Sequence, residues 1–172
     1  MKRILIFTGD GKGKTTAALG AVLRAAGHGW RSLIVQFLKG DARTGEMAAC
    51  RLLPGVEIVQ MGLGFLPAED DPEFAVHRKA ALDALAYAEQ ALASGKHDLI
   101  VLDEVCGALA GNLIDECRVL ELLRRHSGQA CIILTGREAS ARLMEQADTV
   151  TEMRCVRHGL QRGIKAQQGV EY

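Results

Sequence analysis

A glycine-rich stretch near the start of the chain constrains the fold more than any other feature. Residues 7–16 read FTGDGKGKTT; they end an apolar run at residues 4–7 and open an alanine-rich segment with helical periodicity. A strand, a glycine loop and a helix in this order form a phosphate cradle. Glycine lets backbone N–H groups turn toward one anion, and the helix N-terminus adds partial positive charge. The stretch therefore predicts nucleotide binding within an α/β fold.

Two side chains of this loop suit a bound nucleoside triphosphate. Lys14 can reach terminal phosphate oxygens, and the hydroxyl of Thr15 is placed to ligate Mg²⁺. The spacing departs from G-x-x-x-x-G-K-[ST], whose first glycine would fall at Thr8, so that Gly9 makes the loop one residue shorter. Nor does the dinucleotide motif G-x-G-x-x-G fit, because it needs glycine where Lys14 stands. The loop predicts an unusual P-loop protein, and a purely structural glycine turn is the alternative.

Alternating apolar runs and helical segments predict the rest of the fold. Further strands are expected at residues 32–37, 56–61, 99–104, 130–137 and 149–154, and helices at residues 14–26, 44–52, 73–94, 113–125 and 139–146. Strands that alternate with helices form a mainly parallel sheet covered on both faces. We therefore expect a single P-loop NTPase-like α/β domain over residues 1–172, with ligands at the carboxyl ends of the strands.

Two acids end the predicted strand at residues 99–104. In a P-loop protein, a pair such as Asp103 and Glu104 serves Mg²⁺ and the reacting centre. Alone, the pair could simply cap a helix. Together with Lys14 it favours a metal site made of Thr15, Asp103 and Glu104.

The composition argues against several classes of partner. The chain has 21 basic and 21 acidic residues, so no net charge attracts nucleic acid or a membrane surface. No signal peptide is recognisable, and no apolar stretch approaches the ~20 residues of a membrane span. The cysteines lie far apart without a C-x-x-C pair, which disfavours a zinc site and indicates reduced thiols. We therefore expect a cytoplasmic protein without nucleic-acid or membrane partners.

A long loop at residues 62–72 follows the third predicted strand. Its length favours a functional or disordered segment over a simple connection. Phe65, which lies beside Gly64, suits contact with a flat ligand, and packing against its own domain is an equal alternative.

Taken together, these stretches resemble the ATP:corrinoid adenosyltransferases of the BtuR/CobO/CobP family over nearly the whole chain. The matching segments lie at residues 8–18, 27–29, 35–40, 44–46, 64–65, 101–104, 134–137, 147–148, 150–154 and 163–172. The shortened phosphate loop, anomalous for a general NTPase, is this family's own form.

The resemblance implies that the 5′-deoxyadenosyl group of ATP is moved to the cobalt of a corrinoid after reduction to Co(I), with release of inorganic triphosphate. It also implies Mg²⁺, a flavoprotein reductant and, usually, a homodimer. Co(I) carries no proton to remove, so no general base is required, and the sequence shows no nucleophile–histidine pair. The protein must instead position the reactants and neutralise the leaving triphosphate.

The resemblance also implies roles for individual residues. The nucleotide-binding residues of the loop are Thr8, Gly9, Asp10, Gly11, Lys12, Gly13, Lys14, Thr15 and Thr16. Lys14 and Glu104 would act in catalysis, and Phe65 would lie against the lower face of the corrin. Arg24 and Lys39 would assist with the nucleotide, although a role as surface cations is the alternative for both.

Two departures from the family pattern change what is expected. The family loop commonly reads GFTW, whereas Gly64 and Phe65 are followed here by Leu66 and Pro67. Pro67 thus replaces the aromatic that would press on the corrin, which puts displacement of the lower axial ligand, or the usual substrate, in question. Many members also carry an N-terminal extension over the site, so a more open pocket or a different cover is expected here.

Two other functions remain open from the sequence. A small P-loop kinase or phosphohydrolase would need a base or water-binding residue, for which Glu104 is the clear candidate. A non-catalytic carrier of ATP or corrinoid is the second. Cobalamin, cobinamide and an a,c-diamide precursor are equally compatible acceptors.

Overall fold

Six short strands of the described residues pair into one all-parallel sheet in the order β3-β2-β4-β5-β1-β6. The computed structural model describes residues 3–125 and 130–171. The strands are β1 Ile4–Thr8, β2 Ser32–Gln36, β3 Val56–Gln60, β4 Leu99–Asp103, β5 Cys131–Thr135 and β6 Thr149–Glu152. The helices are α1 Lys14–Gly27, α2 Gly45–Cys50, α3 Phe74–Ser94, α4 Val105–Ala110, α5 Glu116–Arg125 and α6 Ala141–Met144, and a 3-10 helix covers Gly159–Arg162.

Alternate residues of the central strands face opposite layers of helices. On β2, Leu33 and Val35 join the apolar cluster under α3, α4 and α5, while Ile34 joins a second cluster under α1. This division follows from the two-residue period of a strand, which makes a sheet buried on both faces apolar at successive positions. The expected α/β fold, with a parallel sheet covered on both faces, is confirmed.

The segment after β4 differs most from the prediction. Helix α4 was not expected, because it has only six residues and Gly107 interrupts its apolar pattern. Helix α5 begins at Glu116, not at residue 113, since the Oδ1 of Asp115 accepts a hydrogen bond of 2.8 Å from the amide of Cys117 and caps the helix. Leu113, placed in the helix by the prediction, instead lies buried in the connection before it.

The loops that follow β1, β2, β4 and β5 meet at the carboxyl edge of the sheet, where Thr8, Gln36, Asp103 and Thr135 end neighbouring strands. The tail of the chain, residues 154–171, returns to this edge. Tyr172, which ends the matching segment at residues 163–172, lies outside the described residues. Within the described part of the chain, every helix is too short or too polar to cross a bilayer.

Candidate active site

The glycine loop after β1 is shaped by contact with the end of β6. The amide of Met153 donates to the carbonyl of Thr8 at 2.8 Å, and the amide of Gly11 donates back to the carbonyl of Met153 at 2.7 Å. A Cβ on Gly11 would lie 2.7 Å from that carbonyl oxygen, and a Cβ on Gly9 would also collide with it. Gly9 and Gly11 are therefore needed for the close approach of two backbones, in addition to any phosphate they bind.

The side chain of Lys14 is buried against the backbone of this loop. Its ammonium donates to the carbonyls of Gly9, at 2.7 Å, and Gly11, at 2.8 Å. Burial lowers the pKa of Lys14, and the carboxylate of Glu104 opposes that shift. A buried ammonium whose two hydrogen bonds to the loop go to neutral carbonyls is suited to take anionic oxygens as further partners.

Asp103, at the end of β4, is fully buried, and both of its carboxylate oxygens accept hydrogen bonds. Its Oδ1 accepts from the hydroxyls of Thr15 and Thr135, both at 2.7 Å. Its Oδ2 accepts from Nε2 of Gln36 at 2.9 Å and lies 3.6 Å from the ammonium of Lys39. Asp103 therefore fixes the position of Thr15 and of Lys39.

The carboxyl-edge partners of Asp103 were missed by the sequence reasoning, although a signal for them existed. Gln36 and Thr135 are each the polar residue that follows an apolar run at the end of a strand, and β2 and β5 flank β4 on either side. Gln36 is directly opposite Asp103 in the pairing of β2 with β4. Polar residues at equivalent ends of adjacent parallel strands can be expected to meet.

Glu104 occupies an unusual backbone conformation at the start of α4. Its φ of 62° lies in the left-handed region, and its amide donates to the hydroxyl of Thr135 at 2.9 Å. Burial, followed by the charge of Asp103, raises the pKa of the Glu104 carboxyl, and Lys14 partly offsets that rise. A strained residue with a perturbed carboxyl, beside a cavity, marks a candidate functional position.

Lys39 and Glu46 form an ion pair beside Asp103. The ammonium of Lys39 lies 3.1 Å from Oε1 of Glu46. Burial alone would raise the pKa of Glu46, but its own amide, Lys39 and Gln36 together hold that pKa below the usual value. The ionised Glu46 carboxylate therefore holds Lys39 beside Asp103, whereas the alternative for Lys39 was a freely solvated surface cation.

These groups surround one cavity of about 550 Å³. Residues of the glycine loop and of α1 line one wall, and Lys39, Glu46, Glu104 and Arg137 line another. A third wall comes from the tail, through His158, Gly169, Val170 and Glu171, and Nζ of Lys12 donates to the carbonyl of Val170 at 2.9 Å. The lining includes the four cations Lys12, Lys14, Lys39 and Arg137 beside the acids Asp10, Glu46, Glu104 and Glu171. The four cations can pair with the oxygens of a polyphosphate.

A sequence model of the family described as ATP:corrinoid adenosyltransferase BtuR/CobO/CobP matches residues 1–172. The chain belongs to this family. It is 41% identical over 170 residues to a corrinoid adenosyltransferase of Pseudomonas aeruginosa, an alignment that covers 98% of this chain and 83% of the relative. A corrinoid adenosyltransferase of Escherichia coli K12 is 38% identical over 170 residues, which cover 98% of this chain and 85% of that one.

Among solved structures, the flagellar accessory protein FlaH of Methanocaldococcus jannaschii is similar in fold. The TM-score is 0.57 at 12% identity, and the match covers 87% of this chain and 69% of that protein. At this identity the likeness supports the fold alone. The family resemblance inferred from the sequence is thus confirmed, and the chain is a transferase of the corrinoid adenosyltransferase family.

Within this adenosyltransferase, five of the predicted site residues do not line the cavity: Thr8, Gly9, Arg24, Phe65 and Asp103. Arg24 is exposed in the last turn of α1, ten residues beyond Lys14, and a helix rises about 15 Å over that length. Thr8 is buried beneath the loop, where its hydroxyl accepts from the amide of Ala139 at 3.2 Å. Thr8 therefore supports the loop, and the position of Arg24 favours its alternative as a surface cation.

The loop after β3 presents Phe65 to solvent. The Phe65 side chain is fully exposed, so it does not pack against the described part of the domain. Gly62 lies so close to the backbone of Leu38 that a Cβ would not fit, and the amide of Gly64 donates to the carbonyl of Leu38 at 2.7 Å. Leu66 packs against the apolar core, close to Gly111. The loop is anchored on both sides of an exposed aromatic ring.

Proposed function

We propose that the protein transfers the 5′-deoxyadenosyl group of ATP to the Co(I) of a corrinoid and releases inorganic triphosphate, in cobalamin biosynthesis or salvage. The observation that carries the proposal is the phosphate cavity, in which Lys14 is buried within a glycine loop and faces Glu104. Membership of the adenosyltransferase family supplies the reaction class.

The reaction requires correct positioning of the two reactants and neutralisation of the charge on the leaving triphosphate. Co(I) attacks C5′ of ATP, the cobalt–carbon bond forms, and the C5′–O bond breaks with its electron pair leaving on triphosphate. Lys12, Lys14 and Arg137 line the cavity in which that leaving group would lie, so they stabilise the negative charge that develops there. No proton moves in this step, and the cavity accordingly needs no acid–base pair.

The residues around Thr15 suit Mg²⁺. Hydroxyl and carboxylate oxygens are the ligands that this ion prefers, and it keeps several water or phosphate ligands. We infer that Thr15 and Glu104 would hold Mg²⁺, while Asp103, already occupied by three hydrogen-bond donors, would act by orienting Thr15. When bound, Mg²⁺ supplies positive charge to the triphosphate.

We further infer that Phe65 contacts the corrin ring. The Phe65 ring is fully exposed in its own domain, so contact with a flat apolar ligand would remove its apolar surface from water. Burial of that surface would favour binding of the ligand. Family membership supports a homodimer that acts in the cytoplasm and receives electrons from a reduced flavoprotein. Sedimentation of the purified protein tests the dimer.

Product analysis tests the function directly. With ATP, Mg²⁺ and chemically reduced cobalamin, the protein is expected to form triphosphate and a light-sensitive product with a cobalt–carbon bond. Phosphate and ADP would instead indicate a kinase or phosphohydrolase in which Glu104 serves as the base. Tight binding of either substrate without turnover would indicate a carrier. Parallel assays with cobinamide and an a,c-diamide precursor identify the preferred acceptor.

A further inference from the structure

A second cavity adjoins the phosphate cavity, behind the glycine loop. It has a volume of about 540 Å³ and is formed mainly by residues 154–166 of the tail. Lys12, His158 and Glu171 line both cavities, so they form the boundary between the two.

The lining of this second cavity is strongly basic. Among the described residues, its ionisable side chains, apart from the thiol of Cys155, are Lys12, Arg154, Arg157, His158, Lys165 and a single acid, Glu171. The whole chain has equal numbers of basic and acidic residues, so the composition does not explain this imbalance. The Oε2 of Glu171 accepts from the amide of Gln167 at 2.8 Å, within the tail itself. Like charges around a concave surface add their potentials and concentrate anions.

The segment that carries these cations is fastened to the glycine loop. The amide of Cys155 donates to Oδ1 of Asp10 at 3.2 Å, and the ammonium of Lys12 reaches the carbonyl of Val170. The 3-10 helix Gly159–Arg162 lies between them, with the amide of Ile164 donating back to the carbonyl of Gly159 at 3.0 Å. These contacts therefore fix the position of the basic cavity relative to Lys12.

We propose that the second cavity is a binding site for a triphosphate group and receives the inorganic triphosphate that leaves the phosphate cavity. The inference rests on the proposed function, which supplies an anion of several negative charges. Because Lys12 lines both cavities, the departing anion can exchange Lys14 for Arg154, Arg157 and Lys165 without losing contact with a cation. The triphosphate of a second ATP molecule has the same chemistry, so the test separates the two sources.

Calorimetric titration with inorganic triphosphate at low ionic strength tests the site. The wild-type protein is expected to show two binding sites, and Lys14→Ala to keep the second. The double variant R157A/K165A, changed only in the second cavity, should weaken that site by about tenfold or more, because each hydrogen bond to a charged group contributes substantially to affinity. Arg162→Ala is the matched control, since Arg162 ends the 3-10 helix that lies between Arg157 and Lys165 and lines neither cavity.

A single site in the wild-type protein, or a second site of unchanged affinity in R157A/K165A, would overturn the proposal. The charge-preserving variant R157K/K165R should retain the second site, which separates loss of charge from loss of fold. A second site that binds ATP as tightly as inorganic triphosphate would overturn its assignment to the released product. The titration requires no turnover, so its outcome is independent of the product assay that tests adenosyl transfer.

Discussion

The hydroxyl of Thr15 donates to Oδ1 of Asp103 over 2.7 Å and so joins the first turn of α1 to the end of β4. The same carboxylate accepts from Gln36 and Thr135, so three donors of the protein occupy its two oxygens. The two adjacent acids of the sequence therefore have different surroundings. Asp103 is enclosed by donors, and Glu104 faces the cavity.

Separate losses are expected when each of these acids is replaced by its amide. Asp103→Asn places an amide N–H against hydroxyl or amide donors in a buried site, so it should lower the free energy of unfolding by about 1–3 kcal/mol. Glu104→Gln and Thr15→Ala should weaken the Mg²⁺ dependence of turnover. Thermal unfolding and Mg²⁺ titration of all three variants measure this. Unchanged metal titrations would remove Thr15 and Glu104 from the metal site and leave Asp103 as the alternative.

Removal of the Lys14 ammonium should nearly abolish turnover. The triphosphate would lose a buried charge partner, and loss of one such electrostatic donor usually lowers the rate on the order of a hundredfold or more. Steady-state kinetics of Lys14→Ala measure the effect. Lys79→Ala is the control, because Lys79 is an exposed cation of α3 paired with Asp83. A near-normal kcat/KM for Lys14→Ala would contradict the assignment of the phosphate site.

The raised pKa of Glu104 predicts a specific pH dependence of stability. Below the ordinary carboxyl pKa of about 4.5, Glu104 is protonated in both the folded and the unfolded state. As the pH rises through the higher folded pKa, the buried charge destabilises the folded state. Glu104→Gln should therefore raise the free energy of unfolding at neutral pH without Mg²⁺, and this gain should disappear below about pH 4.5. Urea unfolding across this pH range measures it, and a gain independent of pH would contradict the raised pKa.

A methyl group added to the phosphate loop should displace it from β6. In Gly11→Ala the new Cβ would lie 2.7 Å from the carbonyl oxygen of Met153 and 2.8 Å from the carbonyl carbon of Arg154, so one backbone has to move. We expect a lower melting temperature and weaker ATP binding. Gly20→Ala is the control, because its Cβ meets nothing within 4 Å, and alanine within a helix gains roughly 0.5–1 kcal/mol over glycine. Equal behaviour of the two variants would show that the loop does not depend on this contact.

Phe65→Ala should reduce the reaction that starts from Co(II) with a flavoprotein more than the reaction that starts from Co(I). An aromatic beneath the corrin acts on the lower axial ligand, which Co(I) no longer holds. Pro67→Trp should speed the Co(II) reaction, although loss of proline also loosens the loop. Because the Phe65 side chain is fully exposed, Phe65→Ala should change stability by less than about 0.5 kcal/mol. Leu63→Ala, at another exposed position of the loop, is the control; equal losses from both cobalt states would leave Phe65 only a shaping role.

Local sequence patterns were sufficient to predict most of the fold and the centre of the site. The glycine loop, the alternating elements and the acids after β4 each have a short-range signal, because strand and helix periods are local properties. Helix α4 was not predicted because it is short and contains Gly107, and the left-handed conformation of Glu104 had no local signal.

The tail shows where local patterns fail. Lys12 and Val170 are separated by 158 positions, and no period in the sequence links them. Residues 156–171 are polar and glycine-rich, so they could not be assigned to a cavity wall before the fold was known. Gln36 and Thr135 became meaningful only when the strand order placed both beside Asp103.

The hydrogen bond between Lys12 and Val170 also sets an order of events during synthesis. A ribosome makes the glycine loop first and reaches Val170 after 158 further residues, a delay of roughly 8–30 s at typical elongation rates. Just before that point the nascent chain contains Lys14, Thr15 and Glu104 but lacks Gly169, Val170 and Glu171 of the third wall of the cavity. The same holds for a chain clipped by a protease near Gly163: its sheet would be intact, yet its nucleotide site would be open on one side.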